Sequence, residues 1–281
     1  MSKNTSKKKR QRGTPGTAAG REGHAAARKT HPKARQEAEA GKKRAAEKKG
    51  ASTGEKVKGF FREVVFLGVL VVAVLSARSS LADHYYVPSG SMLPTVEEGD
   101  HLVVNKLAYG FRIPFTTVYA IEWSAPKPGE VVVLESPENG NVLLKRIIAV
   151  PGQTVAVRGG RLIIDGAPVP VEGTPPMQLT ESLGGIEHPI WLTHDGGGDW
   201  PSPDIAHFLR ARRGIELDLV PAADGGYAAR LRDNQYLVMG DNRGDSADGR
   251  GFGPVGREVI LGRGIAIYWR TRDGLTWRPL E

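Results

Sequence analysis

The alternation of hydrophobic and polar positions divides the chain into three parts. Residues 1–58 carry almost no large apolar side chains, residues 64–82 contain a single charged residue, Arg78, and from Asp83 onward short apolar runs alternate with Gly- and Pro-rich segments. A polar segment cannot bury enough surface to offset its chain entropy, a long apolar run favours a helix in lipid, and short punctuated runs favour strands. The pattern predicts a disordered basic tail over 1–58, a transmembrane anchor helix over 59–82 and a mainly β domain over 83–281.

The apolar run has the length of a membrane span. As a helix, residues 64–82 would extend about 28 Å at 1.5 Å per residue, close to the thickness of the hydrocarbon core. Residues 1–58 hold 18 Lys and Arg against 5 Asp and Glu, and such an excess predicts that the N-terminus is cytoplasmic and the β domain lies outside. The alternative is a cleaved signal sequence ending at Ala82, but the polar region before the run is far too long for that class of segment.

The β domain is predicted from strand and turn signals, with no amphipathic helix of any length. Residues 173–232 differ from the rest of this domain in composition, because Pro, Gly and Asp are frequent there and strand signals are weak. We interpret this segment as a β-rich subdomain inserted in the β core. Gly159-Gly160 predicts a hairpin between two short strands. The predicted strands cover 100–105, 130–135, 142–150, 154–157, 161–164, 235–239 and 258–270.

The amino-acid composition excludes several kinds of functional site. The chain has no cysteine, which excludes disulfides, cysteine catalysis and thiolate metal sites. The net charge of +8 comes from the tail, which lacks the interleaved aromatic residues of a nucleic-acid-binding arm, so no nucleic-acid partner is expected. The glycines of 196–198, with Asp195 and Asp199, lack the spaced ligand set of a calcium loop. No metal and no organic cofactor is predicted.

A serine-containing turn is the strongest candidate for chemistry. In residues 88–95 (PSGSMLPT), two prolines and a glycine fix the backbone as a loop that carries Ser89 and Ser91. A serine hydroxyl is a weak nucleophile and needs a base within hydrogen-bond reach. An ordinary turn is the alternative for such a short motif.

Lys145 is the candidate base. It lies in the predicted strand 142–150, where side chains alternate between faces, so Lys145 and Arg146 point in opposite directions. The pattern alone does not say which face is buried. Chemistry favours burial of Lys145, because desolvation lowers the pKa of an amine towards the range of a general base, whereas a guanidinium stays charged.

Residues 240–250 (GDNRGDSADGR) form a third block, with more mixed charge than an ordinary turn needs. The serine turn, the Lys145 strand and this block, in this order after an apolar segment, resemble the type I signal peptidases, the serine–lysine leader peptidases of bacterial membranes. The resemblance covers residues 64–270 and is weakest over 173–232. It implies an all-β catalytic domain behind an N-terminal membrane helix.

The resemblance also implies roles for residues. Ser91 corresponds to the nucleophile, Lys145 to the general base, and Ser89 to the hydroxyl that forms the oxyanion hole with the Ser91 backbone N–H. In the third block, Ser246 corresponds to the serine that orients the lysine. The remaining matches are the supporting ion pair Asp248 and Arg250 and the loop scaffold Asp241, Asn242 and Arg243.

The function implied is removal of signal peptides from exported preproteins at the outer face of the bacterial cytoplasmic membrane, with preprotein signal peptides and the lipid bilayer as partners. Shallow apolar pockets would select small residues at −1 and −3. Another Ser–Lys peptidase, such as a pilin-processing transfer peptidase or a self-cleaving regulator, and a non-enzymatic anchored scaffold are the alternatives. A further alternative is a serine peptidase with a histidine base. Apart from His84, the histidine nearest to the serine turn in the sequence is His101, which is the candidate for that base. The predicted pocket walls are Met92, Leu93, Val103, Leu143 and Leu144.

Overall fold

The computed structural model describes residues 32–113, 116, 118–173, 178–193 and 198–280. The chain forms two compact units, residues 1–66 and 67–281. A long helix, α1 (Pro32–Ser80), begins in the first unit. Residues 1–31 of the tail predicted to be disordered lie outside the described residues. From Pro32 the tail is helical instead, because Ala, Glu, Lys and Arg are strong helix formers, and Arg35 and Glu39 add an i,i+4 ion pair at 3.8 Å.

The predicted membrane-spanning segment, 59–82, falls within α1 up to Ser80. Large apolar side chains of this stretch are exposed, among them Phe60, Phe66 and Leu75. Among the residues that the structure describes, no helix is both long enough and apolar enough to cross a membrane.

The second unit is mainly β, as the sequence predicted. Among its described residues, the end of α1, two further α-helices and two short 3₁₀ helices accompany the strands; the helices after α1 are α2 (Pro203–Arg213), α3 (Gly249–Phe252), Gly90–Met92 and Arg257–Val259. In chain order the strands of the described residues are β1 (Ala82–Tyr86), β2 (His101–Asn105), β3 (Gly110–Arg112), β4 (Tyr119–Glu122), β5 (Val131–Glu135), β6 (Val142–Ala149), β7 (Thr154–Arg158), β8 (Arg161–Ile164), β9 (Ala167–Pro168), β10 (Val171–Glu172), β11 (Gln178–Leu183), β12 (Ile186–Trp191), β13 (Asp218–Pro221), β14 (Tyr227–Arg230), β15 (Gln235–Met239), β16 (Val255–Gly256), β17 (Ile260–Arg270) and β18 (Gly274–Pro279).

An eight-stranded antiparallel sheet carries the candidate site. Its order is β1-β2-β17-β5-β6-β15-β16, with β18 also paired to β17. Strand β6 lies between β5 and β15, and from Lys145 to its end every residue is buried. Because this central strand is covered on both faces, apolar residues occupy consecutive positions on either side of Lys145 and Arg146 instead of alternating with polar ones.

The predicted inserted subdomain has different boundaries in the structure. A five-stranded sheet has the order β13-β14-β7-β8-β9, so it combines strands of 218–230 with strands that begin at Thr154. The insertion predicted over 173–232 therefore began too late, because the pairing of Ala229 with Val155 joins segments more than 70 residues apart and leaves no local signal. Strands β10, β11 and β12 form a separate three-stranded sheet, and β3 and β4 form a two-stranded one.

The prediction that the β domain contains no amphipathic helix of any length was wrong, because α2 is a helix of 11 residues. Ser202 caps its start by accepting a hydrogen bond from Ile205 N at 3.2 Å, and Pro203 occupies the first turn. Gly214 ends it in the left-handed conformation with φ 66°. These three signals were present in the sequence, but the helix buries only Leu209 in the core and has a weak apolar face.

Candidate active site

The serine turn is anchored to the core by one apolar side chain. Ser91 lies in the 3₁₀ helix Gly90–Met92, and Met92 is fully buried in a cluster with Leu102 and Val133. Met92 O also accepts a hydrogen bond from Val96 N at 3.0 Å. The turn therefore holds Ser91 at the surface of the core while Ser89, just before the helix, stays exposed in an extended conformation.

Lys145 meets Ser91 from the neighbouring strand. It lies on β6 opposite Val132 of β5 and is 2 % exposed. Its Nζ lies 2.7 Å from Ser91 Oγ, a hydrogen-bond distance. The structure thus brings together the two residues proposed as nucleophile and base, 54 positions apart in the chain.

The environment of Lys145 favours its neutral form. Desolvation by burial lowers the pKa of Lys145 from 10.5 to about 8, although the carboxylates of Asp248 and Asp241 act in the opposite direction. A lysine with this pKa is neutral in a substantial fraction of molecules at mildly alkaline pH, and a neutral amine can accept the proton of a hydroxyl.

Arg146 is also buried, on the opposite side of the strand, so both faces of β6 are covered here. Its guanidinium binds Asp241 through two hydrogen bonds of 2.8 and 2.7 Å, and Thr95 Oγ1 donates to the same carboxylate at 2.5 Å. Burial would raise the pKa of Asp241, but Arg146 outweighs it and the pKa is lowered. Sequence reasoning assigned Asp241 to a scaffold but missed Arg146 as its partner.

Arg243 is held on the other side of the same loop by Glu181 of β11. Both side chains are fully buried, and Arg243 Nη1 donates to Glu181 Oε1 at 3.0 Å. Burial favours a raised pKa for Glu181, but Arg243 reverses this and lowers the pKa to about 2. No local pattern identifies Glu181, because the pair is separated by 62 residues.

Asp248 and Arg250 form a bidentate ion pair with two distances of 2.9 Å, and Asp248 also accepts from Gly240 N at 3.1 Å. Ser246 lies against the same glycine, since a Cβ added to Gly240 would be 2.3 Å from Ser246 Oγ. The hydrogen bond implied between Ser246 and Lys145 is not formed, and Ser246 Oγ is buried without a hydrogen-bond partner among the residues that the structure describes. Its hydroxyl is turned towards Gly240 instead.

A cavity of about 450 Å³ opens beside the two reacting groups. Of the predicted walls, Met92, Leu143 and Leu144 line it, whereas Leu93 and Val103 do not. Strand alternation explains the second error, because Leu102 and not Val103 faces the cavity from β2. Sequence reasoning also missed wall residues in or next to β1, β2, β5 and β6, namely Tyr85, Tyr86, Val87, Pro88, Leu102, Val133, Asn141 and Val142.

A histidine base finds no support in the part of the chain that the structure describes. Within it, Ser91 Oγ is hydrogen-bonded to Lys145, and no histidine lines the cavity. His101 packs its ring against Tyr86, with centroids 5.4 Å apart. His24, His31 and His194 lie outside the described residues, as do Asp195 and two glycines of the loop considered for calcium. The described residues contain no group of three or more side chains suited to a metal ion.

Comparison with known proteins decides the family. The family model described as signal peptidase, peptidase S26, matches residues 60–269. The chain belongs to the signal peptidase family. It is therefore a serine peptidase, and the resemblance inferred from its three sequence blocks is confirmed.

Curated relatives agree with the signal peptidase family. The chain is 34% identical over 228 residues to signal peptidase I of Pseudomonas aeruginosa, covering 74% of this chain and 72% of the relative. It is 32% identical over 203 residues to signal peptidase I of Leptolyngbya laminosa, covering 72% and 76%. A probable signal peptidase I-1 of Synechocystis is 30% identical over 234 residues, with 78% and 91% covered.

Proposed function

We propose that this member of the signal peptidase family is a membrane-bound endopeptidase that removes signal peptides from exported preproteins with a Ser91–Lys145 dyad. The observation that carries the proposal is the 2.7 Å contact between Ser91 Oγ and a buried Lys145 Nζ, at the edge of a cavity. A nucleophile within reach of a base, beside space for a substrate, is the arrangement that acyl transfer requires.

The reaction follows from these groups. Neutral Lys145 accepts the Ser91 proton while Oγ attacks the carbonyl carbon of the scissile bond, and the carbonyl oxygen becomes an oxyanion. The Ser89 hydroxyl and the Ser91 N–H donate to that oxyanion. Lys145 then gives the proton to the leaving amine, and an acyl-enzyme remains on Ser91. A water molecule, deprotonated by Lys145, attacks the ester carbonyl; the bond to Ser91 Oγ breaks, Lys145 returns the proton to Oγ, and the new C-terminus of the signal peptide is released.

The cavity supports a preference for small apolar side chains near the cleavage site. Its walls are largely aliphatic or aromatic and include Leu102, Val133 and Leu144. We assign small residues at −1 and −3 of the preprotein to this cavity, because an apolar lining favours apolar side chains.

Two buried ion pairs support the neutral state of Lys145. Arg146 balances Asp241 and Arg250 balances Asp248, and these are the two carboxylates that raise the pKa of Lys145. Without the arginines, each carboxylate would stabilise the ammonium form more strongly and remove the base. The paired charges of the 240–250 loop thus have a role in acid–base chemistry as well as in folding.

The location that best fits the sequence is the bacterial cytoplasmic membrane, with residues 59–82 as a single-pass anchor. The basic excess of 1–58 supports a cytoplasmic N-terminus, and it follows that the catalytic domain lies on the outer face. The bilayer would cover the exposed apolar side chains of 60–75.

Cleavage of a preprotein tests the proposal. The detergent-solubilised protein is incubated with a preprotein, and the N-terminus of the product is sequenced. We expect one cleavage after a small residue that follows another small residue at −3. Lys145→Arg is expected to be inactive, because a guanidinium does not release its proton at neutral pH.

Matched variants make the result decisive. Ser91→Ala and Lys145→Ala should each abolish cleavage while the protein stays folded, and His101→Ala should keep most activity. Cleavage by either dyad variant at the wild-type rate would remove the dyad from the mechanism. Complete loss in His101→Ala alone would favour a histidine base.

A further inference from the structure

The oxyanion hole depends on one peptide unit whose orientation is not fixed by its own turn alone. The Ser91 N–H belongs to the peptide between Gly90 and Ser91, which is trans. In a trans peptide the N–H and C=O point in opposite directions, so the direction of Gly90 O sets the direction of the Ser91 N–H. Glycine has wide conformational freedom, so a Gly–Ser peptide can rotate easily unless something holds it.

Asn242 contacts this peptide from across the site. Its side-chain Nδ2 donates to Gly90 O at 3.2 Å. Because a carbonyl oxygen only accepts, the amide nitrogen of Asn242 must face it. Gly90 O also accepts from Leu93 N at 3.1 Å, a bond inside the turn itself. Asn242 therefore provides the tie between this peptide and the body of the domain.

The same residue holds the next peptide as well. Asn242 N donates to Ser91 O at 3.1 Å. The peptide planes before and after Ser91 are thus both bonded to Asn242, one through its side chain and one through its main chain. The approach is close, because a Cβ on Gly240 would lie 2.3 Å from Ser91 O.

Asn242 is itself held firmly. The neighbouring residues Asp241 and Arg243 are buried and paired with Arg146 and Glu181. Trp191 N donates to Asp241 O, and Arg243 N donates to Trp191 O, each at 2.9 Å. The end of β12 and two ion pairs therefore fix the backbone on both sides of Asn242.

We propose that Asn242 is a positioning residue that aims the Ser91 N–H at the oxyanion by holding the Gly90–Ser91 peptide through its carbonyl. This inference rests on the proposed function, since it needs the oxyanion of the acyl-transfer reaction. Asn242 acts through the peptide and does not itself touch the reacting atoms. We expect Ser91 Oγ and Lys145 to keep their contact without its side chain, because the main-chain bond from Asn242 N to Ser91 O does not involve that side chain.

The test uses the solubilised full-length protein and two substitutions with different predictions. Asn242→Ala removes the donor and the volume, while Asn242→Asp keeps the shape, replaces the donor with an acceptor and adds a negative charge. Loss of one oxyanion donor typically costs about 10²–10³-fold in kcat. Since Leu93 N still binds Gly90 O, we expect kcat to fall about 10- to 100-fold in both variants, with KM within about threefold of wild type.

The pH profile separates positioning from a change in the dyad. In Asn242→Ala, the rise of kcat with pH that reports the deprotonation of Lys145, here called the Lys145 limb, should have the same midpoint as in the wild type. The new carboxylate of Asn242→Asp should move that limb upward, so kcat of this variant is compared on its high-pH plateau. Asp245→Ala, an exposed position in the same loop, is the control and should keep the wild-type kcat.

Each other outcome has a defined meaning. If Asn242→Asp keeps the wild-type plateau kcat, the donated hydrogen bond is unimportant and the inference is wrong, whatever Asn242→Ala does. A rise in KM with unchanged kcat would also overturn it, because the residue would then act in substrate binding. If the wild type fails to cleave preproteins while Asp245→Ala and wild type are equally well folded, the proposed function itself fails, and the inference falls with it.

Discussion

Replacing Lys145 by methionine should stabilise the fold, and the gain should depend on pH. Lys145 has a pKa of about 8 in the folded protein against 10.5 for an ordinary lysine. The unfolded chain therefore binds the proton more tightly than the folded protein does. The resulting destabilisation is full below pH 8, fades between pH 8 and 10.5, and is absent above that range.

The shift sets the magnitude of this effect. It corresponds to about 3 kcal/mol at pH 7 and about 1 kcal/mol at pH 10, because each pKa unit is worth about 1.4 kcal/mol. Methionine is similar in length and fills the same buried space, but it loses the hydrogen bond to Ser91, which subtracts about 1 kcal/mol at every pH. We expect a net gain of about 2 kcal/mol at pH 7 that disappears near pH 10.

Chemical denaturation between pH 6 and pH 10 measures this difference, followed by tryptophan fluorescence, with Trp200 as a buried reporter. Lys127→Met, at an exposed lysine, is the matched control and should show little change with pH. A stability difference between Lys145→Met and wild type that stays constant from pH 7 to pH 10 would refute the reasoning. It would mean that Lys145 has the same proton affinity in the folded and unfolded states.

Other predictions concern the oxyanion hole, the ion pairs and the topology. Ser89→Ala should lower kcat by roughly 10²–10³ with a smaller effect on KM, and Ser89→Thr, which keeps a hydroxyl, should be milder; equal kcat for Ala and wild type would make Ser89 a turn residue only. Arg250→Met should raise the pKa of the Lys145 limb, because Asp248 would then lack its counter-charge, and an unmoved limb would show that the pair does not act on the base. Protease added to intact spheroplasts should digest the β domain and spare residues 1–58, and the opposite protection would reverse the topology.

The sequence was sufficient for the strands whose apolar runs are bounded by glycine and proline. Strand β6 and the β7–β8 hairpin lie where these signals placed them. Local propensity and turn chemistry decide such elements, so a single sequence contains the information. Local signals did not assign the roles of Ser91 and Lys145, which came from the resemblance of the three sequence blocks to the signal peptidases.

Contacts between distant segments could not be predicted in this way. Glu181 and Arg243 pair across 62 residues, and β14 joins β7 through pairs such as Ala229 with Val155. Neither partner has an unusual local pattern, because burial of a charged side chain depends on where the fold brings its counter-charge. The prediction of Val103 as a cavity wall, where the structure has Leu102, was wrong for a similar reason. A shift of one residue along a strand moves a side chain to the opposite face of the sheet.

One difference at the site concerns the side chain of Ser246. Ser246 lies beside Gly240, but its Oγ makes no hydrogen bond to Lys145. The sequence pattern gives the position of the residue in the loop and not the contacts of its side chain. The role of Ser246 in orienting the amine therefore stays a prediction.

The pH dependence of kcat/KM for cleavage of a preprotein tests the central claim most directly. The buried Lys145 has a pKa of about 8, so activity should rise with pH along a limb of apparent pKa near 8 and then level off. The measurement uses the wild type, with Lys145→Met as the folded, inactive control. A limb near 10.5, the value of a solvated lysine, or activity in the control, would contradict the assignment of Lys145 as the general base.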